Sequence, residues 1–227
     1  GLQVGATAGA VVFNNVAAGT GLRVDGNTTT GTTYTLTNSA GTSDSVNITL
    51  VNQPSNALVA AGTLVTTGIE RVNIVNTDAP TTARTTALVN TATLSDATAT
   101  AITVTGNAGL TLTNTALVKV ASFDAAGETA GAVTYTSATT IANSATTTIT
   151  GGAGADTLTG NAAKDTITGG VGADTVKGGL GQDTINVGAG RDVVRVVSDA
   201  DATAGAYSES TTAAADVING YVLSSAI

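Results

Sequence analysis

The chain contains no cysteine, histidine, methionine or tryptophan, and 2 of its 227 residues are proline. Without cysteine there are no disulfides and no thiolate nucleophile, and the redox compartment stays open. Without histidine there is no Ser-His-Asp triad, no His-Glu-x-x-His zinc site and no imidazole acid or base. Aromatic residues make up 3% and charged residues 11%, the latter under half the usual share of about 25%. Large aromatic anchors therefore do not organise the core. With 16 acidic against 8 basic residues, the formal net charge is −8, which repels a phosphate backbone and excludes nucleic acid as an expected partner. No apolar run reaches 18 residues, so no membrane-spanning helix is expected. The start at Gly1, with neither an initiator methionine nor a signal-peptide pattern, leads to the expectation of a fragment of a longer chain.

What the chain has is Thr, Ala, Val, Asn and 28 Gly. Small β-branched side chains build a core when they recur in register on a pleated surface. Short Thr- and Val-rich segments recur at irregular spacing, among them Ile102 to Thr105, Leu110 to Thr113, Val133 to Tyr135 and Thr147 to Thr150. No long amphipathic helix is apparent.

From Gly151 a period of nine holds through five units: GGAGADTLT, GNAAKDTIT, GGVGADTVK, GGLGQDTIN and VGAGRDVVR. Asp fills position six of every unit, as Asp156, Asp165, Asp174, Asp183 and Asp192. Leu158, Ile167, Val176, Ile185 and Val194 fill position eight. Glycines at positions one, two and four allow positive φ, so a tight turn can aim several carbonyl oxygens at one point. The three residues that follow form a strand whose central side chain points into the core. Two units make one coil, which stacks Asp156 on Asp174, Asp174 on Asp192, and Asp165 on Asp183. Oxygen-only ligation without His or Cys points to Ca²⁺ rather than zinc or copper, and Mg²⁺ fits less well because it demands near-ideal octahedral geometry.

These units resemble the GGxGxDxUx repeat of RTX proteins, whose parallel β-helices bind calcium. The resemblance implies carbonyl ligands from about positions one, three and five beside the position-six Asp. In the intact units these are Gly151, Ala153 and Ala155, then Gly169, Val171 and Ala173, then Gly178, Leu180 and Gln182. The second unit departs from the pattern at Asn161, Ala163 and Lys164, which weakens the expected site between Asp165 and Asp183. Val187 replaces the first glycine of the fifth unit, and Asp201 continues the Asp spacing in a stretch without the glycines.

The expected fold is all-β: a parallel β-solenoid ending in a calcium-binding RTX β-roll, preceded by a smaller β-rich layer. The expected divisions are 1–67 for that layer, 68–150 for irregular solenoid rungs, 151–195 for the nonapeptide roll, and 196–227 for a loop and capping strand around Asp216 to Tyr221.

The segment Gly68 to Ile74 (GIERVNI), followed by Asn76-Thr77-Asp78, resembles the body of Gram-negative surface-layer proteins exported by type I secretion. The low aromatic and charge content resembles those proteins too. That resemblance implies a structural, non-enzymatic protein of the bacterial cell surface. Such a chain folds on meeting extracellular calcium, self-associates into a two-dimensional lattice, and is anchored to surface polysaccharide outside this segment. An RTX adhesin or an ice- or ligand-binding module is the alternative, motivated by Thr103 to Thr105 and Thr111 to Thr113, although their spacing looks too irregular for a flat Thr array. The non-catalytic part of a secreted RTX enzyme comes third, since Arg191 and Arg195 read as surface partners of the acidic edge and few aromatics exist to stack on a sugar.

Overall fold

A computed structural model describes residues 2–4, 11–16, 19, 21–25, 32–36, 41–52, 58–78, 87–115, 119–138, 145–195 and 216–220. Among these residues there is no helix, and hence none long and apolar enough to cross a membrane. Among the described residues, nineteen strands alternate between two parallel sheets, and each strand inside a sheet pairs with the strand two before it and the one two after it. The odd-numbered strands run in order from β1 (Leu2–Val4) to β19 (Val217–Asn219), and the even-numbered ones from β2 (Val11–Val16) to β18 (Val193–Arg195). The fold is a parallel β-solenoid.

The strand order corrects one expectation. Residues before 67 supply β3 (Gly21–Val24), β5 (Ser45–Asn52) and β6 (Ala60–Thr67), which are members of the same two sheets as the repeats and not of a separate layer. The reason lies in the core. In the odd-numbered sheet one inward column runs Val46, Val72, Ile102, Phe123, Ile149, Ile167, Ile185 and Ile218, each paired with the next. All but Ile218 are buried. Burying each aliphatic group removes apolar surface at about 25 cal/mol per Å², and the column crosses the expected boundaries at 67 and 150 without a break. Phe123 and Tyr135 stack across the interior at a centroid distance of 3.8 Å, just before the regular repeats begin.

Inside the repeat region every strand has three residues, as in β14 (Thr157–Thr159), β15 (Thr166–Thr168), β16 (Thr175–Lys177) and β17 (Thr184–Asn186), and only the central side chain is buried. A strand this short cannot stand alone, and its stability comes from the rungs on either side. Unequal spacing upstream does not spoil the outer face, because turns of different length absorb it. Thr91, Thr111, Thr134, Thr157 and Thr175 form one outward column in register. Along this column the irregular spacing of the sequence disappears.

Candidate metal centre

Turn geometry decides what the repeats can hold. Positive φ is found at positions two and four of the third to fifth units, as in Gly170 at 115° and Gly172 at 135°, but not at position one. Position one needs glycine for space. A Cβ on Gly151 would lie 2.1 Å from the Gly169 carbonyl oxygen and 2.5 Å from an Asp156 carboxylate oxygen. The same cradle recurs at Gly160, between the Gly178 carbonyl and Asp165, and at Gly169, between the Val187 carbonyl and Asp174. In these three units the first glycine thus leaves a small gap walled by a main-chain carbonyl of the next coil and a carboxylate of its own unit.

The carboxylates form two ladders. Asp174 accepts from the Asp156 amide at 2.8 Å and Asp192 from the Asp174 amide at 3.0 Å. On the other edge, Asp183 accepts from the Asp165 amide at 2.8 Å. The structure therefore brings together the three pairs expected from an 18-residue coil. Asp156, Asp165, Asp174 and Asp183 are buried, and Asp192 is half-buried near the end of the stack. The position-two carbonyls of Gly152, Asn161 and Gly170 accept from the amides of Val171, Leu180 and Ala189. Of the carbonyl ligands expected at positions three and five, Ala153, Ala155, Val171, Ala173 and Gln182 lie in exposed turn positions and Leu180 is half-buried.

The second ladder continues through a residue that the nine-residue spacing misses. Asp216 accepts from the Asp183 amide at 2.8 Å, and Val217, Ile218 and Asn219 pair with Thr184, Ile185 and Asn186. The signal was present: Asp216-Val217-Ile218-Asn219 repeats the pattern of Asp183-Thr184-Ile185-Asn186 after a long insertion. Asp201 lies outside the described residues, as do 222–227. In the irregular second unit, the Asn161 amide donates to Asp165 at 2.6 Å, as Gly152 does to Asp156, and its side chain adds bonds that glycine lacks. Its Oδ1 accepts from Ala163 at 2.6 Å and its Nδ2 donates to Thr147 and Ala145, while Lys164 points to solvent.

Burial penalises the charged form and pushes Asp156 up to about 6, with the Asp174 charge adding to the rise. Desolvation likewise raises Asp165 and Asp174. One Asp174 carboxylate oxygen is buried and has no hydrogen-bond partner. Among the described residues, no three acidic, His or Cys side chains converge. An ion here would draw on one or two carboxylates and otherwise on main-chain carbonyls, the hard-oxygen coordination that Ca²⁺ accepts with flexible geometry. The residues fit calcium.

The model of the RTX calcium-binding nonapeptide repeat, in four copies, matches residues 141–176 and 160–194. This segment is an RTX-type repeat array. No curated protein matches the chain. The RTX array occupies the stretch where the strands shorten to three residues and the Asp ladders begin. A bound calcium ion would supply the positive charge that the buried carboxylates lack.

Asp174→Asn separates the roles of charge and shape. In chelator it is expected to stabilise the array by about 1–3 kcal/mol, because an uncompensated buried charge disappears. In calcium it is expected to weaken ion binding about tenfold or more, since affinity follows the charge of the ligand set. Urea unfolding with and without calcium checks both signs.

Proposed function

We propose that this chain is a structural, non-enzymatic protein of the bacterial surface layer, secreted and folded outside the cell by calcium. The observation that carries the reading is the buried Asp ladder within the matched repeats, flanked by carbonyl-walled gaps. Buried carboxylates without a cation oppose folding, so a low-calcium cytoplasm keeps the array open and a calcium-rich exterior closes it. Extracellular calcium modules bind with dissociation constants of about 10⁻⁴ to 10⁻³ M, which suits such a switch. Low aromatic content, net charge −8 and the Gly68 to Asp78 segment support the surface-layer assignment by resemblance. That segment forms the turn into β7 (Arg71–Asp78), with Ile69, Val72 and Ile74 in the core.

Electron microscopy and light scattering across a calcium titration test the assembly. Ordered sheets appearing with calcium are the expected result. A calcium-folded chain that stays monomeric would overturn the lattice and favour the adhesin reading, for which the outward Thr column offers a regular surface.

A further inference from the structure

The rung just above the first nonapeptide copies the geometry of the repeats without their sequence. Ala153 donates its amide to the Glu128 carbonyl at 3.0 Å, as Val171 does to Gly152 and Ala189 to Gly170, each at 2.9 Å. Glu128 therefore stands at turn position two. Val133 donates its amide to Asp156 at 2.7 Å, as Asp156 does to Asp174 one coil later, so Val133 stands where the array has its Asp. The rung thus has the turn but lacks the position-six carboxylate.

A bulge supplies a carboxylate from elsewhere. Glu128 ends β11 (Ser122–Glu128), whose pairing with β9 (Ala101–Gly106) slips between Asp124 and Gly127. While β9 advances two residues, β11 advances three. One extra residue reverses the alternation of side chains, and bulges commonly re-aim a side chain in this way. Glu128 consequently turns inward and is 1% exposed. Its Oε1 accepts from the Gly131 amide at 3.3 Å, whereas its Oε2 is buried without a hydrogen-bond partner.

The second carboxylate is close. Gly152 donates its amide to Asp156 at 2.6 Å, and a Cβ built on the same glycine would lie 2.9 Å from the Glu128 Cβ. Asp156 and Glu128 thus bracket one glycine, and the negative charge of Asp156 acts on Glu128. Main-chain oxygens crowd the same turn, with the Gly131 carbonyl 2.2 Å from where a Cβ of Gly154 would sit. A buried carboxylate oxygen without a donor, on the same turn as a second buried carboxylate, is costly while both are ionised unless a cation joins them.

We propose that Glu128 and Asp156 hold an additional Ca²⁺ at the N-terminal end of the array, in a site outside the nonapeptide pattern and before its first unit. It rests on the reading of the repeats as calcium-binding. Its role is to cap the stack where the irregular rungs give way to the regular ones, joining the two into one cooperative unit.

Titration calorimetry with CaCl₂ alone, on the full chain and on Glu128→Gln, tests the site. Glutamine keeps the acceptor for the Gly131 amide and removes the charge. The expected result is one ion fewer per chain, with the remaining binding retained. Unchanged stoichiometry in the variant would overturn the site, whereas absence of binding in the unaltered chain would overturn the reading of the whole array. Crystals of the unaltered chain grown in CaCl₂ give a second measurement that does not depend on the variant folding. An anomalous peak about 2.3–2.6 Å from Glu128 Oε2 supports the site, and peaks confined to the coils below Asp156 contradict it.

Discussion

Chelating calcium at neutral pH is expected to strip hydrogen-exchange protection from the ladder amides of residues 151–195 while sparing the longer strands upstream. The two parts differ in what holds them. Strands such as β5 and β7 pair over eight residues, with Val46, Ile48 and Leu50 of the first buried beside Val72 and Ile74 of the second. Each of the first four units of the array buries one aliphatic side chain in its strand and sets a buried Asp into its turn. Calcium held about 100-fold above its dissociation constant contributes about 2.7 kcal/mol per site. Its removal is therefore expected to lower protection on the order of a hundredfold for each coupled site. The amides of Asp156, Asp165 and Asp174, which donate to the next carboxylate in the ladder, report this directly. Equal loss of protection in β5 and β7 would show that the solenoid melts as one unit and that the array is not separately gated.

Acid is expected to substitute for calcium. The folded-state values of Asp156, Asp165 and Asp174 lie above the ordinary value of 3.8, with Asp156 at about 6 and Glu128 raised to about 7. Desolvation is the largest cause at each. Groups raised on folding bind more protons in the folded state, so their contribution is fully present below their unfolded values and is lost as pH rises through the folded ones. In chelator, then, lowering the pH from about 7.5 to about 5, across the Asp156 value, should increase β-signal and thermal stability. Over the same range protons compete for the carboxylates that ligate the metal, so calcium affinity should fall as apo stability grows. Circular dichroism at two calcium concentrations across this range checks the crossing. A metal-free array that loses β-signal on acidification would mean that its carboxylates are stabilised as anions by neighbours in the fold, against the desolvation argument.

The parts of this molecule that the sequence discloses are those set by local, repeated chemistry. Asp at position six and an aliphatic residue at position eight, nine residues apart, predict the coil, the Asp pairs and the inward run of Leu158, Ile167, Val176 and Ile185. Pairing between distant segments is harder to see. The first 67 residues look like a separate layer because their turns vary in length, yet Val46 sits under Val72 as Ile149 sits under Ile167. Asp216 escapes the spacing rule because a long insertion separates it from Arg195, although its four-residue context repeats that of Asp183. Glu128 carries no motif at all. Its inward direction depends on one extra residue between Asp124 and Gly127, and such a bulge is a property of the pairing with β9. The repeat pattern assigns position-one glycine to φ, whereas the structure uses it for space, a distinction that the approach of the Gly169 carbonyl to Gly151 reveals.

The most direct test of the central claim is a calcium titration of the full chain, starting in chelator at neutral pH, in which far-UV circular dichroism and bound calcium are followed on the same sample. The account predicts that β-signal rises together with ion uptake, saturating at about 10⁻⁴ to 10⁻³ M free calcium. Full β-signal in chelator, with no ion taken up at millimolar calcium, would contradict it.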